Sequence, residues 1–321
     1  MEEKEIRKYL RRSFRPLGWS LVGYYLVMNI MVVLTMMADA EALTLKNLSR
    51  GRPVLPMEKM QEVIAQNAWG YLAAIAVGLV ILLAWKGWDF FREEIFVKNQ
   101  RMNTGKFLAI VCVFLGCQVA ASLYATILEA ILNCLGLSAM MALEAATITA
   151  YTFSMFLYAS IAAPIVEEIL FRGFVQRSLL PFGKKFAIFG SALLFGMFHG
   201  NLVQTPYAFL VGLVLGYVAA EYNIWWAIAL HMINNMVLAD LLPRLFSYLP
   251  GMTGDLILGG ITWAFAIAGT VILIVNRREV STYLRGESMD RRCLRGFFLN
   301  SGFFVLSILM IVNMLMMVTP I

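Results

Sequence analysis

The sequence predicts an all-α polytopic membrane protein, a bundle of about nine membrane-embedded helices. Three observations carry that expectation. Hydrophobic residues make up 60% of the chain and charged residues 14%, with a mean hydropathy of +0.75. A soluble domain could not cover so much apolar surface with so few charges. The apolar residues also collect into runs approaching the roughly 20 residues that cross about 30 Å of hydrocarbon. Short basic segments lie between the runs, as orientation in a membrane requires. The period-2 alternation of a barrel is missing from the runs, so helices are the expected spanning element.

In chain order the segments fall near 17–37, 68–85, 107–132, 148–176, 186–199, 204–220, 224–240, 256–276 and 297–318. The first follows a basic run and precedes Ala38-Asp39-Ala40, as a signal peptide would. Its apolar stretch is long for that purpose, so an uncleaved helix is expected. Residues 38–67, with Gly51, Pro53 and Pro56, read as an outer loop, partly helical around Met57–Asn67. The fifth segment is short for a full crossing and would tilt, thin the bilayer or re-enter. Trp225 and Trp226 read as interfacial anchors.

Basic residues orient the bundle. Lys4, Arg7, Lys8, Arg11, Arg12 and Arg15 would be cytoplasmic, with Lys86, Arg92, Lys98, Arg101 and Lys106 returning to that side. Arg172, Arg177, Lys184 and Lys185 do the same, as do Arg277, Arg278, Arg285, Arg291, Arg292 and Arg295. That leaves Lys46, Arg50, Arg52, Lys59 and Arg244 on the opposite face. The N-terminus is therefore expected in the cytoplasm. The net charge of +6 is spread over these segments and forms no single patch, which argues against a nucleic-acid partner. Cys112, Cys117, Cys134 and Cys293 have no zinc-like spacing, and most lie in or beside apolar runs, where cysteine acts as a small hydrophobe.

Ionisable groups at membrane depth cost about 2.5–3.5 kcal/mol each on insertion scales, so each needs a reason. Here they concentrate. The fourth segment carries Pro164, Glu167, Glu168 and Arg172. The fifth ends Phe195-Gly196-Met197-Phe198-His199, and the seventh holds His231, Asn234 and Asn235. The chain has 2 histidines, and both lie in these segments. One histidine in an apolar helix is more often a packing residue than a catalyst; two beside a paired carboxylate are harder to dismiss.

Counting the rise from the span ends puts Glu167 about 15 Å deep, His199 about 20 Å and His231 about 12 Å, so they can meet. Glu168 and Arg172 stand i, i+4 and can pair on one helix face, while Glu167 points about 100° away. His231 and Asn235 share a face, as do Phe195 and His199. Pro164 removes a backbone donor just before the carboxylates. Glu129 and Glu221 read as a structural hydrogen bond and a solvated turn residue. Gly254-Asp255 reads as a turn, and Met314, Met316 and Met317 as lipid-facing or packing residues.

These groups suit hydrolysis by activated water. A carboxylate with an imidazole, Glu167 with His199, can take a proton from water as it attacks a carbonyl. The N–H groups of His231 and Asn235 could donate to the oxyanion. One carboxylate and two imidazoles could instead hold a metal with a position open for water. The residues alone leave both open. HExxH and GxSxG motifs do not occur.

In Glu167, Glu168 and Arg172 (EExxxR), Phe195 and His199 (FxxxH), and His231 and Asn235 (HxxxN), the chain resembles the CPBP family. That family joins the type II CAAX prenyl endopeptidases to bacterial Abi and bacteriocin-processing relatives. Each motif is weak alone, but three in order in separate apolar spans are specific. The resemblance implies an intramembrane endopeptidase in which Glu167 and His199 activate water and His231 and Asn235 bind the oxyanion. The resemblance admits both a metalloprotease and a metal-free reaction. The metal-free one is favoured, because Glu167 with His199 needs no metal to act as a base, with zinc the alternative. The expected substrate is a peptide or membrane protein, and the expected place a bacterial cell membrane. The resemblance divides the chain into flanking helices at 1–147, a core at 148–240 and further flanking helices at 241–321. A non-catalytic scaffold or bacteriocin-immunity protein of the same fold is the competing reading. A proton-coupled transporter is a weaker one, because no inverted repeat is evident.

Overall fold

The computed structural model describes residues 3–146, 152–286 and 288–321. Its helices are α1 (Glu3–Ser49), α2 (Met57–Ala65), α3 (Trp69–Lys86), α4 (Thr104–Cys134), α5 (Met140–Ala146), α6 (Phe153–Phe182), α7 (Lys184–Phe198), α8 (Gln204–Glu221), α9 (Ile224–Phe246), α10 (Thr253–Val275), α11 (Arg277–Gly286), α12 (Arg291–Phe298) and α13 (Ser301–Met316). The helical turns at Trp88–Phe90 and Phe91–Ile95 connect α3 to the loop before α4. The all-α bundle is as the composition requires.

Among the described residues, six helices, α1, α3, α4, α6, α9 and α10, are long and apolar enough to cross a membrane. The pair α12–α13, bent by 62°, makes a seventh if counted as one span. The two other expected segments are α7 and α8, which pack against each other as a hairpin. At 15 residues, α7 is about 22 Å long, short of the hydrocarbon thickness, as its sequence indicates.

Four readings need correction. Residues 38–49 are no loop: α1 runs unbroken to Ser49, because Ala38 to Ser49 contains good helix formers and no breaker. The chain turns at Gly51, whose φ is 64°. Asn67 donates to Asp39 Oδ2 at 2.8 Å, tying the end of the α2 segment back onto α1. The ninth segment is broken at Leu299 and Asn300, where Asn300 caps α13. Glu221 is not a free solvated residue, since Lys184 donates to it at 2.8 Å and the Tyr283 hydroxyl at 3.1 Å. Gly254 and Asp255 form the first turn of α10. The start of the fourth segment, 148–151, lies outside the described residues.

Other readings stand. Glu129 accepts from the Ser138 hydroxyl and the Ala139 amide. Ser138 also belongs to the two-residue pairing of β1 (Leu137–Ser138) with β2 (Thr319–Pro320). Met310 and Met314 are buried.

The core that frames the site is formed by α6 to α9. Phe171, Phe174, Val175, Phe186, Phe195, Leu215 and Leu230 are buried in it. Close approach of α8 depends on two glycines. A Cβ on Gly212 would stand 3.1 Å from the Phe195 ring, and one on Gly216 would stand 3.0 Å from Gln176 Oε1. That closeness brings the two glycine carbonyls to polar side chains of α6. Arg172 donates to Gly212 O at 3.1 Å, and Gln176 to Gly216 O at 2.9 Å. Both helices repeat at i, i+4, so the bonds form two rungs.

Candidate functional site

The site is built on a helix with the wrong period for ordinary α-structure. α6 winds with π-type turns at Leu157–Ala162 and Ile169–Gln176, and α9 does so at Ile233–Leu241. Such turns are rare and concentrate at functional sites. In the first of them the Ala163 N–H bonds to Tyr158 O, five residues back. The next donor in that pattern would be residue 164, which is proline and has none. The Ala159 carbonyl is thereby left over, and the Asn235 side chain donates to it at 3.0 Å. Pro164 thus anchors α9 to α6 as well as interrupting α6.

One turn on, Glu168 and Arg172 are both fully buried. Glu168 Oε1 accepts from Arg172 Nη1 at 2.9 Å and from His231 Nδ1 at 2.9 Å. The guanidinium also lies 4.3 Å from the centre of the Phe195 ring, a cation–π contact strengthened by the absence of water. The pair is end-on: Glu168 Oε2 and Arg172 Nε have no hydrogen-bond partner among the described residues. Burying two ions costs several kcal/mol each, so this arrangement holds only while both are present.

Glu167 differs from its neighbour. Its side chain is 33% exposed, and Nε2 of His231 stands 3.8 Å from its Oε2. His199 caps the C-terminus of α7, and its Nδ1 donates to Phe195 O at 2.8 Å. It lies within electrostatic range of Glu167 and His231. Phe195 packs edge-on against both imidazoles, with centroids at 4.9 Å from His199 and 5.6 Å from His231. Carbonyls and carboxylates only accept, so each histidine carries a proton on Nδ1. The Nε2 edge of each ring is therefore the one left for other partners.

Asn235 is held on both sides of its amide. Besides its bond to Ala159 O, its Oδ1 accepts from Asn234 Nδ2 at 3.0 Å, and Asn234 Oδ1 accepts from the Tyr207 hydroxyl at 2.7 Å.

The structure thus brings Glu167, Glu168, Arg172 and His231 into one connected cluster, with His199 beside it and Asn235 one helical turn along. No three His, Cys, Asp or Glu side chains among the described residues gather closely enough to hold a metal ion. The sequence reading passed over Tyr207 and Asn234 as contributors. It also passed over Tyr24 and Tyr158, which lie close enough to Glu167 to feel its charge. Tyrosines in apolar runs look like interfacial anchors, so only a depth estimate for each could have singled them out.

Fold and site together define an integral membrane protein with a carboxylate–imidazole cluster enclosed by its helices. Residues 149–237 match the family model described as type II CAAX prenyl endopeptidase Rce1-like. The match spans 89 of the 321 residues, and over them the chain resembles the CAAX-type intramembrane proteases of the CPBP group. The helices before and after it lie outside the match. Neither the curated proteins nor the solved structures give a match to the chain.

Proposed function

We propose that the protein hydrolyses a peptide bond of a membrane-associated protein or peptide precursor, with Glu167 as general base. The observation that carries this is the unequal treatment of two adjacent carboxylates. Glu168 is sealed and occupied by Arg172 and His231, whereas Glu167 is reachable and faces the free edge of an imidazole. A base must reach the proton it removes.

In this reading Glu167 takes a proton from a water that also donates to His199 Nε2. The water oxygen bonds to the scissile carbonyl carbon, whose oxygen becomes an oxyanion. Asn235 donates its remaining N–H to that oxygen. His231 joins it in the imidazolium form, its charge balanced by Glu168 at Nδ1. The C–N bond then breaks, and the proton held by Glu167 passes to the leaving amine. Glu168 and Arg172 touch no substrate; they act by fixing His231. In this reading the site faces the cytoplasmic half of a bacterial membrane, the side on which the basic residues lead us to expect the N-terminus.

The test uses purified protein in liposomes of phosphatidylcholine and phosphatidylglycerol. The probes are a quenched peptide ending in a farnesylated CAAX sequence and an unprenylated transmembrane peptide. Cleavage by the wild type should fall about 10²–10⁴-fold in Glu167→Gln, the usual contribution of a positioned base. Absence of cleavage of either probe by the wild type, or undiminished cleavage by Glu167→Gln, would overturn the proposal.

A further inference from the structure

We infer that Tyr207 and Asn234 are positioning residues that aim the amide of Asn235 at the reacting carbonyl. The inference rests on the proposed role of Asn235 as an oxyanion donor. Three hydrogen bonds form one directed chain, from the Tyr207 hydroxyl to Asn234 Oδ1, from Asn234 Nδ2 to Asn235 Oδ1, and from Asn235 Nδ2 to Ala159 O. An amide can turn over and exchange its donor and acceptor ends, so its orientation must be argued.

Here the far end settles it. Ala159 O is a carbonyl and can only accept, so Asn235 presents its NH2 group there. Its oxygen must then face Asn234, which is bound to present its own NH2 group in turn. That leaves Asn234 Oδ1 facing Tyr207, and the hydroxyl must donate. The polarity of the chain is fixed from one end to the other.

The consequence is a count of donors. Asn235 has two N–H bonds and an oxygen. The oxygen and one N–H are taken by structure, leaving a single N–H for a ligand. Were the amide reversed, an oxygen would face the developing negative charge and repel it. Ala159 O sets the polarity of the chain, and Tyr207, on α8, holds the far end in place, so that it restrains the position of a residue on α9. Pro164 contributes at the other end by freeing the Ala159 carbonyl. The tyrosine is half-buried and cannot turn to water without leaving Asn234 Oδ1 unsatisfied.

Removing the Tyr207 hydroxyl lets Asn234 shift, and Asn235 with it, although Ala159 O still holds the NH2 end of the Asn235 amide. Misplacement of a catalytic donor by an ångström costs up to about 10²-fold in rate. The expected result for Tyr207→Phe, with the farnesylated peptide probe in liposomes, is a fall in kcat of about 10- to 10²-fold at near-unchanged KM. Asn234→Asp keeps the acceptor for Tyr207 but removes the N–H to Asn235, and should lose at least as much. In the Asn235→Ala background neither change should lower kcat further, because there is no amide left to aim.

Wild-type kcat in folded Tyr207→Phe and Asn234→Asp would overturn the inference. So would losses that multiply with that of Asn235→Ala, since they would show an independent structural role. Full activity in Asn235→Ala would instead overturn the donor role on which the inference depends, and the two failures are thereby distinguished.

Discussion

Replacing Glu168 by glutamine tests whether the buried ion pair is held by charge or by shape. The substitution would keep the length of the side chain and an oxygen able to accept from Arg172 and His231. It would remove the negative charge from beside a guanidinium with no exposure. Breaking a buried pair in this way costs about 3–5 kcal/mol, because the surviving ion remains desolvated without a counter-charge. At 1.4 kcal/mol per decade, the ratio of folded to unfolded protein falls by about 10²–10⁴. Adding Arg172→Met removes the stranded cation and returns an apolar group of similar bulk. Among the described residues, Arg172 donates to Gly212 O, a carbonyl within a helix, and to Oε1 of residue 168, which keeps its bond from His231. Most of the lost stability should therefore return in the double variant. The assay is unfolding by sodium dodecyl sulfate in mixed micelles, followed by circular dichroism. A double variant no more stable than Glu168→Gln alone would refute the reasoning, for then the loss would not come from an unpaired ion.

Three further outcomes are expected. Glu167→Gln should leave unfolding within about 0.5 kcal/mol of the wild type, since its side chain is partly exposed and its charged neighbour stands 3.8 Å away; a large destabilisation would mean that Glu167 is structural. Peptidase activity should survive thorough chelation, because no three His, Cys, Asp or Glu side chains among the described residues stand close enough together to hold a metal ion. Near-stoichiometric zinc, lost from both His199→Ala and His231→Ala, would reverse that expectation. Gly196→Ala should destabilise the α7–α8 hairpin by about 1–3 kcal/mol, the usual cost of overpacking. Its new Cβ would stand 2.8 Å from Thr205 O, and an unchanged unfolding midpoint would show that α8 can give way.

The sequence made the bundle and the motif residues legible because both depend on local, periodic signals. Apolar runs announce spans, and i, i+4 spacing brought Glu168 to Arg172 without knowledge of any other helix. The end of α1 was hidden because Ala38 to Ser49 is polar enough to read as a loop yet carries no breaker until Gly51. The link from His231 to Glu168 was hidden for a different reason. Spacing says that two residues share a face, but it cannot say which carboxylate of an adjacent pair an imidazole on another helix will meet. Tyr207 was invisible on the same ground, since its role exists only through an amide on α9. The break at Asn300 could have been read, because an asparagine before a small-residue helix start is a capping signal.

The adjacency of Glu167 and Glu168 is itself the reason the site can combine stability with reactivity. Two carboxylates one residue apart on a helix diverge by about 100°, so they cannot share an environment. The one turned toward α8 and α9 meets Arg172 and His231 and is closed off from water. Its fixed charge lets a histidine be held by one nitrogen and presented by the other. The one turned away stays partly exposed and meets the other nitrogen of the same ring. A π-type turn begins directly after Glu168, and its wider spiral changes the angular spacing of Arg172 from the carboxylates. If the pair were separated by a full turn, both would point the same way and compete for Arg172. The doubled glutamate is therefore a geometric device, with one member bound so that the other can remain free.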